Sequence, residues 1–232
     1  MPLIDTIPRL GLGLGWHDAA AMTDAISAFT QGGGRLLDTA ISYRNHPLIR
    51  QALMSARPQE GTFIISKLDR KSMAQRAQRA VENIRRELGV SRIDLMLIHH
   101  PYGGHTAADR ATWQALVDAK QRGTCRFIGV SNIGITGIKH LASSTGHFPD
   151  ALEVEYHPWV SREIKELVSW CKRRGIAVIG YGALGGASFG RGYWPPELMQ
   201  IARSLRKSPE QVVLRCPCAL HAAIMPPGMW RL

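Results

Sequence analysis

The sequence contains few cysteines and little that could bind a metal ion. Four cysteines in 232 residues are too few and too scattered for the disulfide framework of a small secreted domain. Two of them flank a proline in Cys216-Pro217-Cys218, with His221 nearby. A structural zinc site requires four ligands, however, and no second Cys or His pair is spaced to complete one. We therefore expect free thiols and no metal centre.

The sequence also lacks a long apolar run. No stretch approaches the roughly 20 residues that cross a bilayer, and the N-terminal residues 1–5 have neither the basic region nor the apolar core of a signal peptide. These absences predict a cytosolic protein without a membrane partner.

Acidic residues are scarce relative to basic ones. The chain has 18 Asp and Glu residues against 29 Lys and Arg residues, which gives a net charge of +11 and a pI of about 10.0. Such an excess can attract nucleic acid, an acidic membrane surface or an anionic cofactor. The basic residues are spread over expected helix faces such as 71–86 and 172–174, and no basic tract interleaved with aromatic residues is present. Solvated helix faces are therefore favoured over nucleic-acid binding.

Apolar runs typical of strands alternate with segments typical of helices. The predicted strands are 7–15, 35–40, 62–67, 93–99, 126–130, 151–156 and 176–181, and residues 222–227 allow a short eighth strand; the predicted helices are 18–31, 48–55, 72–88, 107–121, 136–143 and 161–174. This alternation predicts a parallel sheet, either open and doubly wound or closed into a (β/α)₈ barrel. The length favours one domain over residues 1–232.

Polar residues at the ends of the runs favour the barrel. The buried run 93–98 ends in His99-His100-Pro101, and other runs end in Asp38, Lys67, Ser131-Asn132 and Tyr181. The carboxyl ends of all barrel strands converge on one mouth, whereas an open sheet concentrates its ligand contacts at one switch point. The Gly-x-Gly-x-Gly pattern at 11–15 lies within a predicted strand and lacks the dinucleotide fingerprint spacing. It therefore predicts close packing rather than phosphate binding.

Three of these polar residues, together with the nearby Tyr43, form a chemical set. A buried lysine requires a carboxylate, which Asp38 on the neighbouring strand can provide to Lys67. We expect this pair to lower the pKa of the nearby Tyr43 phenol from its reference value near ~10, because positive charge favours the phenolate. His99 can hydrogen-bond the same substrate oxygen from across the mouth. The set suits proton delivery to a carbonyl group that is being reduced.

The order of the motifs resembles that of the aldo-keto reductase family from Leu10 to about Arg215. The motifs are residues 36–40 followed by Tyr43, 65–67, 94–99, 128–132, 155–158 and 208–215. The resemblance implies a TIM barrel that reduces aldehydes and ketones with NADP(H), with NAD(H) as the alternative. It also implies that Tyr43 is the general acid, that Lys67 and Asp38 tune it, and that His99 positions the carbonyl.

Further roles are implied by the same resemblance. Ser131, Asn132 and Glu153 would hold the nicotinamide carboxamide, and Tyr181 would stack on the nicotinamide ring. The substrate pocket would be lined by Trp16, His17, His100, Tyr102 and Trp159, with residues 189–194 as a lid.

Two departures from the family pattern leave two functions open. Glu153 stands where the family usually has glutamine, and a carboxylate cannot donate the hydrogen bond that an amide donates. After Arg215, Pro217 is expected to interrupt a helix, and no segment matches the one that binds the adenosine phosphate in the family. We thus expect a barrel that is incomplete at its C-terminal end. It either reduces small aldehydes, ketones or sugar-like carbonyls, or binds cofactor too weakly to turn over and acts as a regulatory or interaction protein. The oligomeric state stays open.

Overall fold

Eight parallel strands form a closed barrel in chain order in the computed structural model, which describes residues 1–15, 19–56, 61–185, 194–215 and 220–225. The strands are β1 (Leu10–Gly13), β2 (Leu36–Asp38), β3 (Phe63–Leu68), β4 (Ile93–Ile98), β5 (Cys125–Ser131), β6 (Ala151–Glu155), β7 (Ala177–Tyr181) and β8 (Ala222–Met225). Each strand pairs with the next, and β8 also pairs with β1. The predicted (β/α)₈ class is confirmed.

Helices occupy the connections between the strands. They are α1 (Ala19–Gln31), α2 (His46–Ala56), α3 (Ala77–Leu88), α4 (Ala107–Gln121), α5 (Ile135–Thr145), α6 (Arg162–Arg173), α7 (Pro196–Leu205) and α8 (Pro209–Leu214). The helices α4 and α8 begin with capping boxes at Thr106 and Ser208, whose side chains accept hydrogen bonds from the backbone of the first turn.

Strand β4 shows why the strands are apolar on both faces. Leu95 and Leu97 pack inside the barrel, whereas Met96 and Ile98 pack against the outer helices. All four side chains are fully buried. The polar exception, Asp94, accepts a 2.9 Å hydrogen bond from the backbone nitrogen of Ile64 on β3. Burial on both faces is the usual condition of strands in parallel sheets, so the apolar run at 93–98 was interpreted correctly.

The helix predicted from Ser72 starts later than expected. Two 3₁₀ turns, Arg70–Ser72 and Ala74–Arg76, precede α3. The first turn is closed by a reciprocal capping box between Asp69 and Ser72, and Ala74 has a φ of 56°, which a right-handed helix does not accommodate. The predicted end is correct, because Gly89 terminates α3 in the left-handed conformation.

The barrel closes through its short last strand. The backbone of β8 pairs with Ile179 and Gly180 of β7 on one side and with residues 10–12 of β1 on the other. The described residues end at Met225, the last residue of β8, and the sheet is closed within them. The expected helix interruption at Pro217 lies outside the described residues.

The sequence predicted free thiols, no metal centre and no membrane-spanning segment. Cys125 and Cys171 are buried and free, while Cys216 and Cys218 lie outside the described residues. Within the described ranges, no group of three or more His, Cys, Asp or Glu side chains is arranged to hold a metal ion. No helix in these ranges combines the length and the apolar character needed to cross a membrane.

Gly129 lies where β5 contacts β6, and a substitution there tests how closely the two strands pack. A Cβ atom at Gly129 would overlap the backbone carbonyl of Ala151 and lie 2.7 Å from the Leu97 side chain. Because backbone cannot yield as a flexible side chain can, we expect Gly129→Ala to lower the free energy of unfolding by about 1–3 kcal/mol. Urea denaturation measures the change. Gly61→Ala is the control, since a Cβ there meets nothing within 4 Å; equal midpoints for the two variants would contradict the packing described.

Candidate active site

The carboxyl ends of the strands bring the predicted polar residues to one mouth. Asp38, Ser131 and Tyr181 are the last residues of β2, β5 and β7. Parallel pairing places Lys67 beside Leu97 near the end of β4, and Ser131 beside Glu153 of β6. A cavity of about 330 Å³ opens there; its lining includes Asp38, Tyr43, His99, His100, Asn132, Glu153 and Tyr181. The structure thus brings the four proposed catalytic residues and most of the proposed cofactor contacts together.

Lys67 lies at the base of this mouth and is only 1% exposed. Its ammonium group forms an ion pair with Asp38, donates to the Thr39 carbonyl at 3.2 Å and lies 3.3 Å from Oε1 of Glu153. Burial by itself lowers the pKa of Lys67, but the carboxyl groups of Asp38 and Glu153 outweigh it, so this pKa lies above its ordinary value. Lys67 is therefore a permanent cation.

Tyr43 ends a 3₁₀ turn, Ile41–Tyr43, that follows β2. The Lys67 ammonium lies 6.0 Å from the centre of its ring. The prediction of a lowered pKa is wrong: burial, the largest effect, raises the pKa of Tyr43; Lys67 opposes it, and Asp38 and Glu153 raise it further. The sequence-based prediction counted the charge of the lysine and did not count the burial of the phenol or the second carboxyl group. The ligand-free site therefore holds Tyr43 as a neutral phenol.

His99 follows β4 and faces Tyr43 edge to face, with ring centres 5.9 Å apart. Its other neighbour is His100, whose ring stacks on it at 4.4 Å. Burial, followed by the positive charge of Lys67 and the proximity of His100, lowers the pKa of His99 to about 3. At neutral pH this imidazole is uncharged, so it can donate one hydrogen bond without competing for the phenol's proton.

Asn132 hydrogen-bonds residues at the ends of β4, β5 and β7. Its backbone is left-handed, with a φ of 56°, a conformation that asparagine tolerates better than most residues. The side-chain nitrogen donates to the His99 carbonyl at 3.1 Å and to Oγ of Ser131 at 3.0 Å. The side-chain oxygen accepts a 2.7 Å hydrogen bond from the Tyr181 hydroxyl. Burial raises the pKa of Tyr181 to about 12, which keeps this donor protonated.

Glu153 is the least satisfied polar residue of the site. It is 2% exposed, and its Oε2 atom has no hydrogen-bond partner among the described residues. Burial, followed by repulsion from Asp38, raises the pKa of Glu153 to about 8, and the attraction of Lys67 offsets this only in part. A buried polar atom without a partner is rare enough to indicate a ligand contact or a functional strain.

The predicted substrate residues are dispersed. His100 lines the catalytic cavity. Tyr102 does not; it is 42% exposed, its backbone nitrogen donates to Asp109 at 2.8 Å, and the Arg70 guanidinium lies 4.4 Å from its ring centre. Trp159 lines a neighbouring cavity of about 710 Å³ that shares Asn132 and Tyr181 with the first. Trp16 and His17 lie outside the described residues, as do residues 189–193 of the expected lid.

Sequence reasoning missed one buried support of the mouth. Thr39 donates to Oδ1 of Asn45 at 2.6 Å, and Nδ2 of Asn45 donates to the Leu14 carbonyl at 2.6 Å. These bonds tie the segment that carries Tyr43 to the end of β1. An asparagine two residues after Tyr43 was visible, but nothing local showed that it is buried.

Comparison with known proteins supplies the family. The model of the Aldo/keto reductase family matches residues 10–223. Methylglyoxal reductase DkgA of Yersinia pestis is 32% identical over 212 residues, which cover 90% of this chain and 74% of the relative. Glycerol 2-dehydrogenase (NADP(+)) of Saccharomyces cerevisiae is 28% identical over 236 residues, or 90% and 74% of the two chains.

A solved structure agrees with these sequence matches. The Bombyx mori aldo-keto reductase in complex with NADP superposes with a TM-score of 0.84 at 28% identity, covering 97% of this chain and 81% of that one. The family match extends slightly beyond Arg215, the limit estimated from the motifs, and takes in the start of β8. The chain therefore belongs to the aldo/keto reductase family.

Proposed function

We propose that this protein reduces the carbonyl groups of small aldehydes and ketones to alcohols with NADPH, and that Tyr43 supplies the proton. The observation that carries the proposal is a neutral phenol held at the barrel mouth, beside a buried lysine and a neutral imidazole, on the wall of one cavity. Membership of an oxidoreductase family supports the reaction type. The relatives named for methylglyoxal and glycerol support a small, polar substrate.

The proton step follows from the charges around Tyr43. When bound, NADPH supplies the hydride that adds to the carbonyl carbon. The negative charge that develops on the carbonyl oxygen is neutralised by the proton of the Tyr43 hydroxyl. The resulting phenolate is stabilised by the Lys67 ammonium 6.0 Å from the ring centre. The raised pKa of Tyr43 keeps the proton in place until that charge develops.

His99 positions the carbonyl without taking part in the proton transfer. Its imidazole is neutral because burial and Lys67 lower its pKa to about 3. A neutral imidazole donates one hydrogen bond, which suits the carbonyl oxygen as substrate approaches Tyr43. His100 stacks on the same ring and lines the cavity, so it gives the pocket wall polar character suited to hydroxylated or dicarbonyl substrates.

The far wall of the cavity fits a nicotinamide carboxamide. That group has one acceptor and two donor hydrogens, and Glu153 on β6, whose Oε2 has no partner among the described residues, lies on that wall. Ser131, paired with Glu153 on β5, is fully buried and lies outside the cavity lining. Asn132 and Tyr181, joined by their own hydrogen bond, complete the wall. We assign NADP(H) as the cofactor, in agreement with the NADP complex of the Bombyx mori relative. Tyr181 offers the aromatic ring against which the nicotinamide would stack.

Cofactor binding is the first test of this function. We expect NADPH to quench the protein fluorescence with a saturable curve, and an aldehyde panel that includes methylglyoxal to oxidise the bound NADPH. NADH is titrated in parallel to measure the preference between the two cofactors. Absence of binding by either cofactor would refute the reductase and favour the alternative of a barrel that serves in regulation or interaction.

The role of Tyr43 is tested by removing only its hydroxyl group. We expect Tyr43→Phe to lower kcat by roughly 10²–10⁴-fold, because the developing oxyanion loses its proton donor. The Kd for NADPH should change little, since the assigned carboxamide contacts lie on β5 and β6. Tyr156→Phe is the matched control, because that ring packs against the outer core and lies outside the cavity lining. A variant Tyr43→Phe with wild-type kcat would contradict the proton-donor role.

A further inference from the structure

Glu153 places a second carboxyl group against the Lys67–Asp38 pair. Its side chain is 3% exposed, and one of its oxygens lies 3.3 Å from the Lys67 ammonium. The other oxygen, Oε2, is buried and has no partner among the described residues. If both carboxyl groups were ionised, one cation would face two anions, and all three side chains are nearly buried. An uncompensated buried charge is costly, so one added proton is the simplest way to neutralise it.

Among the described residues that contact Glu153 or line the same cavity, Lys67 is the only cation. From β2 and the turn after it come Asp38 and Tyr43, from β3 comes Lys67, and from the end of β4 come His99 and His100; β5 contributes Ser131 and Asn132, and β7 contributes Tyr181. Both histidines have lowered pKa values and both tyrosines have raised ones, chiefly through burial. Within the described site, Lys67 is therefore the cation, and burial raises the pKa of both carboxyl groups, those of Asp38 and Glu153.

We propose that Glu153 is a neutral carboxylic acid at neutral pH, and that its ionisation at higher pH shifts the site's preference from reduced towards oxidised cofactor. The inference rests on the proposed function, because it requires the nicotinamide to bind beside β6. The nicotinamide ring is cationic in NADP⁺ and neutral in NADPH. Ionised Glu153 attracts the cationic ring and has no such attraction for the neutral one. Protonated Glu153 carries no charge, so it does not favour either ring by charge.

Protonation also changes the hydrogen bond that Glu153 offers. One oxygen, Oε1, faces the Lys67 ammonium, and the Glu153 side chain also contacts the Asp38 carboxyl group. A protonated Glu153 carboxyl can donate a hydrogen bond, either to Asp38 or to the carbonyl oxygen of a carboxamide, whereas an ionised one can only accept. The proton on Glu153 therefore changes the hydrogen bonds that the β6 side of the cavity can form.

The ligand-free protein gives the first test. Glu153→Gln is nearly isosteric and always neutral. We expect wild-type protein at pH 7 to show an infrared band of a protonated carboxyl group that is lost in Glu153→Gln and kept in Glu155→Gln. Glu155 is a suitable control because it lies on the same strand, with its side chain 40% exposed and paired with His157. Absence of the band in the wild type overturns the proposal, whatever the cofactor does.

Stability gives a second readout without cofactor. The pKa of Glu153 is about 8 in the folded protein against 4.5 for the ordinary group. Between these two pH values, the native state therefore retains a proton that the unfolded chain has lost. The corresponding stabilisation is fully present below pH 4.5 and is lost as pH rises through about 8. We expect the wild-type free energy of unfolding to fall relative to that of Glu153→Gln across this window; parallel pH profiles would overturn the proposal.

Cofactor titrations then test the redox preference. In the wild type, we expect the ratio of the Kd for NADP⁺ to the Kd for NADPH to fall by roughly tenfold or more between pH 6 and pH 9, as one buried charge appears near the ring. In Glu153→Gln the ratio should be constant. A wild-type ratio that is independent of pH overturns the proposal. If neither cofactor binds, the proposed function is refuted and the redox preference with it, whereas the infrared band and the stability profile still decide the protonation of Glu153.

Discussion

The ion pair between Lys67 and Asp38 is the interaction on which the site depends. An ammonium group that is 1% exposed would be strongly destabilising without a partner, because desolvation of an isolated charge costs several kcal/mol. The pairing of β2 with β3 places Asp38 within reach of Lys67. Once the pair exists, its cation adds to the effect of burial in lowering the pKa of His99, and it lies 6.0 Å from the ring centre of Tyr43. The chemistry of the mouth is thus a consequence of strand pairing at the centre of the barrel.

The residues assigned to proton transfer and those assigned to the nicotinamide lie on opposite halves of the barrel. The ends of β2, β3 and β4 carry the residues assigned to proton transfer, and the ends of β5, β6 and β7 carry those assigned to the nicotinamide. Asn132 connects the halves by contacting the His99 carbonyl and the Tyr181 hydroxyl. Glu153 belongs to the cofactor half but reaches Lys67 of the other. Under the proposed function, the protonation of this one carboxyl group would couple cofactor contacts to the electrostatics of proton transfer.

Much of the fold could be predicted because its signals are local. Both faces of β4 are buried, so the run at 93–98 is apolar throughout, and Gly89 ends α3 as its left-handed φ requires. The start of α3 was predicted wrongly, because the capping box of Asp69 and Ser72 closes a separate turn before the helix. Of the site, Asp38, Tyr43, Lys67 and His99 meet as predicted. Tyr102 and Trp159 do not line the cavity that Asp38, Tyr43 and His99 line. Both lie in loops, whose positions depend on contacts such as that between Tyr102 and Asp109.

The sequence by itself determined the alternation of strands and helices, the polar ends of the strands and the motif order that indicates the family. These properties depend on short stretches of chain, and hydrophobic periodicity records them directly. Only the tertiary structure decided that the sheet closes through β8, that Tyr43 has a raised pKa and that Glu153 faces Lys67. The reason is physical: a pKa depends on burial and on the distances to every nearby charge, and the charges that matter here come from strands far apart in the chain.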